Sequence, residues 1–153
     1  MEERKIFMRD GRFGDEVYRP KFGYVQNVFR RSVKVKEDIL KNQEEDLFAG
    51  VFLTEDPTDG KWKFADEGEV PAHPMIDERV QFDNTLDAYG GVTVLQGSVP
   101  HYTKHFDGTP EKGDGLKCDD GKLVVMDDGD EEEIRVGTVS SVHGNIIEFI
   151  TKY

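Results

Sequence analysis

The feature that most constrains this chain is the way its second half is cut into short apolar runs. Val92–Gln96, Val99–Phe106, Leu116–Cys118, Leu123–Met126, Arg135–Val142 and Ile146–Thr151 are all rich in β-formers. Between them lie Gly97-Ser98, DGTPEKGDG, Asp120-Gly121, DDGDEEE and Gly144-Asn145, which are turn chemistry. Many short strands at this spacing predict an all-β sandwich or small barrel. An alternating βαβ plan would need an amphipathic helix of about ten residues or more between strands, and none is present.

The first half supports the same class. Ala49–Thr54 and Trp62–Phe64 flank PTDGK, so they predict a hairpin. Phe29, Val33 and Val35 alternate with Arg30, Ser32, Lys34 and Lys36, which predicts a strand. Arg31 interrupts its apolar face and suggests a sheet edge. Residues 37–47 offer a helical turn or two, because Ile39, Leu40 and Leu47 are too sparse for a full amphipathic helix. Residues 65–77, with two prolines and a glycine, read as a loop. Arg79–Phe82 reads as a short strand and Thr85–Tyr89 as a helical turn. At 153 residues one domain is expected.

Charge divides the chain. Residues 1–36 hold ten Lys/Arg against five Asp/Glu, a net +5, while residues 37–153 hold ten against twenty-seven, a net −17. An acidic body repels phosphate, so nucleic acid is not an expected partner. The basic segment is also full of turn-formers and aromatics, among them Gly11, Phe13, Gly14, Pro20, Phe22 and Tyr24. Aromatics with no periodicity cannot bury themselves. Residues 1–27 therefore read as an extended arm that orders against an acidic protein surface, with 28–153 as the β domain. The expected contact residues are Arg12, Phe13, Arg19, Phe22, Tyr24, Phe29, Arg30, Arg31, Lys34 and Lys36.

Catalytic and metal signatures do not emerge. The run Asp127–Glu133 suggests a calcium loop, but the sixth position from Asp127 or Asp128 is Glu132 or Glu133, where an EF-hand needs glycine. It reads instead as a solvated hairpin tip. His101 and His105 have helical zinc spacing, yet on a strand they would stand about 13 Å apart, too far for one ion. Cys118, the single cysteine, sits beside Asp119 and Asp120, which would raise its thiol pKa. Neither G-x-S-x-G, nor a P-loop, nor G-x-G-x-x-G occurs. No enzyme activity, metal or cofactor is expected. No apolar run approaches a membrane span, and MEERKIFMRDGRFGDE has no signal-like stretch, so a reducing cytoplasm without membrane is the expected setting.

The order of elements from Val92 onward carries a resemblance. A strand ending at Gly97 leads to Gly113–Leu116, then to a Gly121–Leu123 hairpin, a strand with Val136–Val139, and a closing apolar strand Ile146–Ile150. This resembles the C-terminal half of the head decoration (cement) proteins of tailed phages, and AGVFLTEDPTDGKWKFAD resembles their first-half hairpin. The loop at 65–77 and the poverty of helix depart from that pattern. The resemblance implies a β-tulip-like domain with an N-terminal capsid-gripping arm. It also implies a place on the capsid exterior after assembly in a host cytoplasm. The implied partners are the major capsid protein and other copies of the chain, a trimer ahead of a dimer. A carbohydrate- or cell-surface-binding β module is the alternative, and a small hydrolase with a carboxylate cleft is a third reading.

Overall fold

The structure is a computed structural model, and it describes residues 18–20, 29–40, 49–76 and 91–153. The protein is mainly β, as the turn spacing requires. Its strands are β1 (Tyr18–Pro20), β2 (Phe29–Lys34), β3 (Phe52–Glu55), β4 (Trp62–Phe64), β5 (His73–Pro74) and β6 (Gly91–Gln96). They continue with β7 (Pro100–Thr103), β8 (Phe106–Asp107), β9 (Gly115–Asp119), β10 (Lys122–Val125), β11 (Gly137–His143) and β12 (Ile146–Thr151). One helical turn, α1 (Glu37–Leu40), follows β2, and a 3₁₀ turn spans Glu132–Ile134.

The strands form three sheets: β1-β7-β12-β11-β9-β10-β8, β2-β6, and β4-β3-β5. Among the described residues none closes into a barrel, which corrects the barrel form of the expectation: β1 and β8 are the two edges of the largest sheet. The layering follows from β3. Val51, Phe52 and Leu53 are all buried, so this strand is apolar on both faces. Leu53 faces a core made with Val33, Val35, Ile39, Trp62, Met75, Val92 and Val94. Phe52 faces a second core made with Leu116, Cys118, Leu123, Val136, Val139, Ile147 and Phe149. The small β4-β3-β5 sheet is thus the middle layer between the β2-β6 ribbon and the large sheet. Burying one Phe or Leu side chain stabilises by about 1.5–3 kcal/mol, so both faces of β3 contribute.

A backbone lock fixes the middle layer to the large sheet. Phe52 N–H donates to Gly121 O (2.8 Å), Gly121 N–H to Ala65 O (2.8 Å), and Ala65 N–H to Phe52 O (3.0 Å). Gly121 lies at φ +84, and a Cβ there would stand 2.8 Å from the Phe64 ring. Only glycine suits the position.

Three sequence expectations need correction. The stretch 65–77 is not all loop: β5 pairs with β3 (Phe52↔Pro74, Leu53↔His73), and Met75 bridges Val94. Proline is tolerated because so short a strand needs few ladder donors. The run 99–106 breaks in two, because the Thr103 hydroxyl accepts His105 N–H (2.9 Å) and turns the chain, sending β8 to pair parallel with β10. Finally, Tyr18–Pro20, inside the expected arm, pair antiparallel with β7 as a strand of the large sheet. The expected strand at 79–82, the helical turn at 85–89 and residues 41–47 of the expected helical stretch lie outside the described residues.

Candidate interaction surface

Strand β2 carries the most distinctive surface. It pairs with β6 from Phe29↔Gln96 to Lys34↔Gly91, and among the described residues its other edge has no ladder partner. Alternation puts Phe29, Arg31 and Val33 on the inner face and Arg30, Ser32 and Lys34 on the outer one. Of these six, Val33 alone is buried. Phe29 is 65% exposed, the most exposed large apolar side chain described. An exposed apolar ring on the same strand as the exposed Arg30, Arg31 and Lys34 of an acidic protein has the composition of a contact surface.

Arg31 does more than interrupt an apolar face. Its guanidinium lies over the Trp62 ring, 5.5 Å from the centroid, a cation–π contact worth about 0.5–1 kcal/mol where exposed. Trp62 is itself buried and lies 5.9 Å, ring to ring, from His73 on β5. His73 Nε2 approaches Gln96 Nε2 at 3.4 Å, and its Nδ1 is buried with no hydrogen-bond partner among the described residues. Burial, reinforced by the Arg31 charge, lowers the His73 pKa to about 4. Sequence spacing could not join Arg31, Trp62 and His73, because they sit on three strands far apart in the chain.

Lys36 is not an open cation for a partner. Its Nζ lies 2.6 Å from Asp56 Oδ2 and 3.5 Å from Asp59 Oδ2, and the Asp56 hydrogen bond raises its pKa. It anchors the end of the β2 segment to the β3–β4 turn. Arg19 lies on β1, opposite Tyr102, at the edge of a different sheet from β2. Arg12, Phe13, Phe22 and Tyr24 lie outside the described residues. Phe29, Arg30, Arg31 and Lys34 are therefore the expected contact residues that the fold brings together.

The remaining chemical groups are placed as follows. The acidic tip is not merely solvated: Asp130 Oδ2 accepts Asp127 N–H (2.8 Å) and pairs with Lys117 Nζ (2.9 Å), which also holds Glu67 (2.8 Å). These contacts, the Asp127 N–H first, lower the Asp130 pKa. Glu132 pairs with Arg135 (2.5 Å), whose guanidinium also donates to Thr138. The cleft of about 430 Å³ between them is lined by Asp114, Asp127, Asp128, Glu132 and Arg135. Among the described residues, no group of three or more His, Cys, Asp or Glu is placed to hold a metal. His101 is fully buried and stacked on Phe149, 5.1 Å between rings. Cys118 is buried, and burial first, then Asp66, raises its pKa; the neighbouring aspartates are not the cause.

One constellation was missed in the sequence. Ser141 Oγ stands 3.0 Å from His143 Nε2 and 3.5 Å from Glu148 Oε1 on the outer face of β11 and β12. The carboxylate addresses the hydroxyl rather than the imidazole. A nucleophile–base relay needs the carboxylate to orient the base, so this is not that geometry. Its register places it beside Tyr102 (Ser141↔Glu148↔Tyr102).

No helix among the described residues is long and apolar enough to cross a membrane. No family model, no curated protein and no solved structure matches the chain.

Proposed function

We propose that this protein is a non-catalytic structural component that grips an acidic protein surface through β2, and that this surface is the exterior of an icosahedral phage capsid. The observation that carries the reading is strand β2, whose Phe29, Arg30, Arg31 and Lys34 are all exposed, on a body whose residues 37–153 sum to −17. The order of glycine-punctuated strands, similar to that of tailed-phage decoration proteins, supports the choice of partner. An acidic body turned to solvent resists nonspecific association, while a basic edge directs docking. Several copies bridging neighbouring major capsid proteins gain by multivalency, so no single contact need be strong. The test is co-sedimentation of the full chain with purified mature phage heads stripped of decoration. Saturable binding at a fixed stoichiometry per capsid subunit supports the reading, and its absence at low salt overturns it.

The face carrying Tyr102, Ser141, His143 and Glu148 favours a second reading, a carbohydrate- or cell-surface-binding module. A ring beside three hydrogen-bonding side chains on a sheet face suits a sugar. Glycan-array binding lost in Tyr102→Ala, with β2 substitutions silent, would select it.

A further inference from the structure

Arg31, Trp62, His73 and Gln96 form a single file drawn from β2, β4, β5 and β6. The guanidinium lies 5.5 Å over the indole, the indole 5.9 Å from the imidazole, and the imidazole Nε2 3.4 Å from the Gln96 amide nitrogen. Three features make the file unstable to a proton. His73 is 5% exposed, so an added charge would be poorly hydrated. With an amide N–H facing it, Nε2 is the accepting nitrogen of the neutral ring, and a proton there requires the Gln96 amide to turn. Nδ1 offers no relief, since it has no hydrogen-bond partner among the described residues.

Among the described residues, the strands packed around the ring supply no compensating anion. From β2 comes the cation Arg31, the one charge among the described residues that bears on the imidazole. On β3, His73 stands opposite Leu53, and Glu55 is solvent-exposed at the strand end. On β4, Lys63 points to the other face and pairs with Glu69 (2.5 Å). β6 contributes Val94 and the neutral Gln96.

We propose that this file is an acid-sensitive latch on β2. Protonating His73 adds a second cation to a site that already holds Arg31, drives the guanidinium off Trp62 and loosens β2 from the layer beneath it. The latch is closed at neutral pH, since burial holds the imidazole neutral until about pH 4. Its effect on partner binding rests on the reading of β2 given above; the latch itself does not.

Trp62 is the sole tryptophan, so its emission reports the file directly. The full chain is titrated from pH 7 to 3, with far-UV circular dichroism recorded in parallel. A protonated imidazole quenches a neighbouring indole, so the expected result is a fall in emission near pH 4 that precedes loss of the β signal. The transition disappears in His73→Gln. In Arg31→Gln, which removes the opposing charge from an exposed site, its midpoint moves upward. Identical curves for the wild type and His73→Gln, or an unmoved midpoint in Arg31→Gln, overturn the proposal. Heads co-sedimented at pH 7 and pH 4 separate the two claims. An emission transition with binding unchanged keeps the latch and removes β2 from the contact.

Discussion

Replacing His101 with Leu should change how stability depends on pH, by an amount the structure sets. His101 is fully buried on β7, opposite Phe149 of β12 and stacked on its ring. Burial lowers its pKa from 6.5 to about 3. In the unfolded chain it regains an ordinary value of about 6.5. Between these values the unfolded state holds a proton that the folded state refuses, so stability falls as pH falls through the window. A group with these two pKa values removes roughly 3 kcal/mol by pH 4. Leu is close to His in volume and takes no proton. At pH 7 His101→Leu should cost about 1–2 kcal/mol for lost stacking and polar contact. Towards pH 4 that deficit should shrink and then reverse. Urea unfolding at pH 7, 6, 5 and 4 gives the difference between variant and wild type, in which the many carboxylates cancel. A difference that stays flat from pH 6.5 to 4 would mean that His101 takes up its proton equally in the folded and unfolded chain.

Gly121→Ala meets both a positive φ and a 2.8 Å approach to Phe64, so it should destabilise by about 2 kcal/mol or more in chemical denaturation, against a near-neutral Gly129→Ala, where a Cβ meets nothing within 4 Å. In the acidic tip, Asp130→Asn should lower the thermal midpoint while Asp128→Asn leaves it unchanged, because Asp130 alone of the two holds Lys117 and the Asp127 N–H. The Asp130 carboxyl is held below its ordinary pKa, so its contribution is present above about pH 4 and lost as pH falls through its lowered value. Removing residues 1–20 should be more destabilising in a melt than removing 1–17, since Tyr18–Pro20 are paired with β7.

Where local pattern decides structure, the sequence was readable. The Ile146–Thr151 strand, the hairpin around PTDGK and the β9–β10 turn at Asp120-Gly121 follow from period-two alternation and turn chemistry. Legibility failed where partners lie far apart in the chain. His73-Pro74 looks like loop because nothing local reveals that Phe52 and Leu53 offer it a ladder. Arg31 looks like a defect in an apolar face until Trp62 is beneath it. Lys36 and Asp130 count as open surface charges until Asp56 and Lys117 are brought to them. The surface on β2 was half legible: its basic residues and Phe29 were evident, but not the buried His73 behind them.

The central claim is that β2 binds an acidic shell by charge and by Phe29. The most direct measurement is the affinity of the full chain for stripped phage heads, wild type against Arg30→Glu/Lys34→Glu and Phe29→Ala, at low salt and at 1 M. The Debye length falls to about 3 Å at 1 M, so attraction between exposed charges is then largely screened. The double reversal should weaken binding at low salt by at least tenfold, wild type and reversal should converge at 1 M, and Phe29→Ala should weaken binding alike in both conditions. Binding indifferent to salt and to all three substitutions, in variants that melt like the wild type, would contradict the claim.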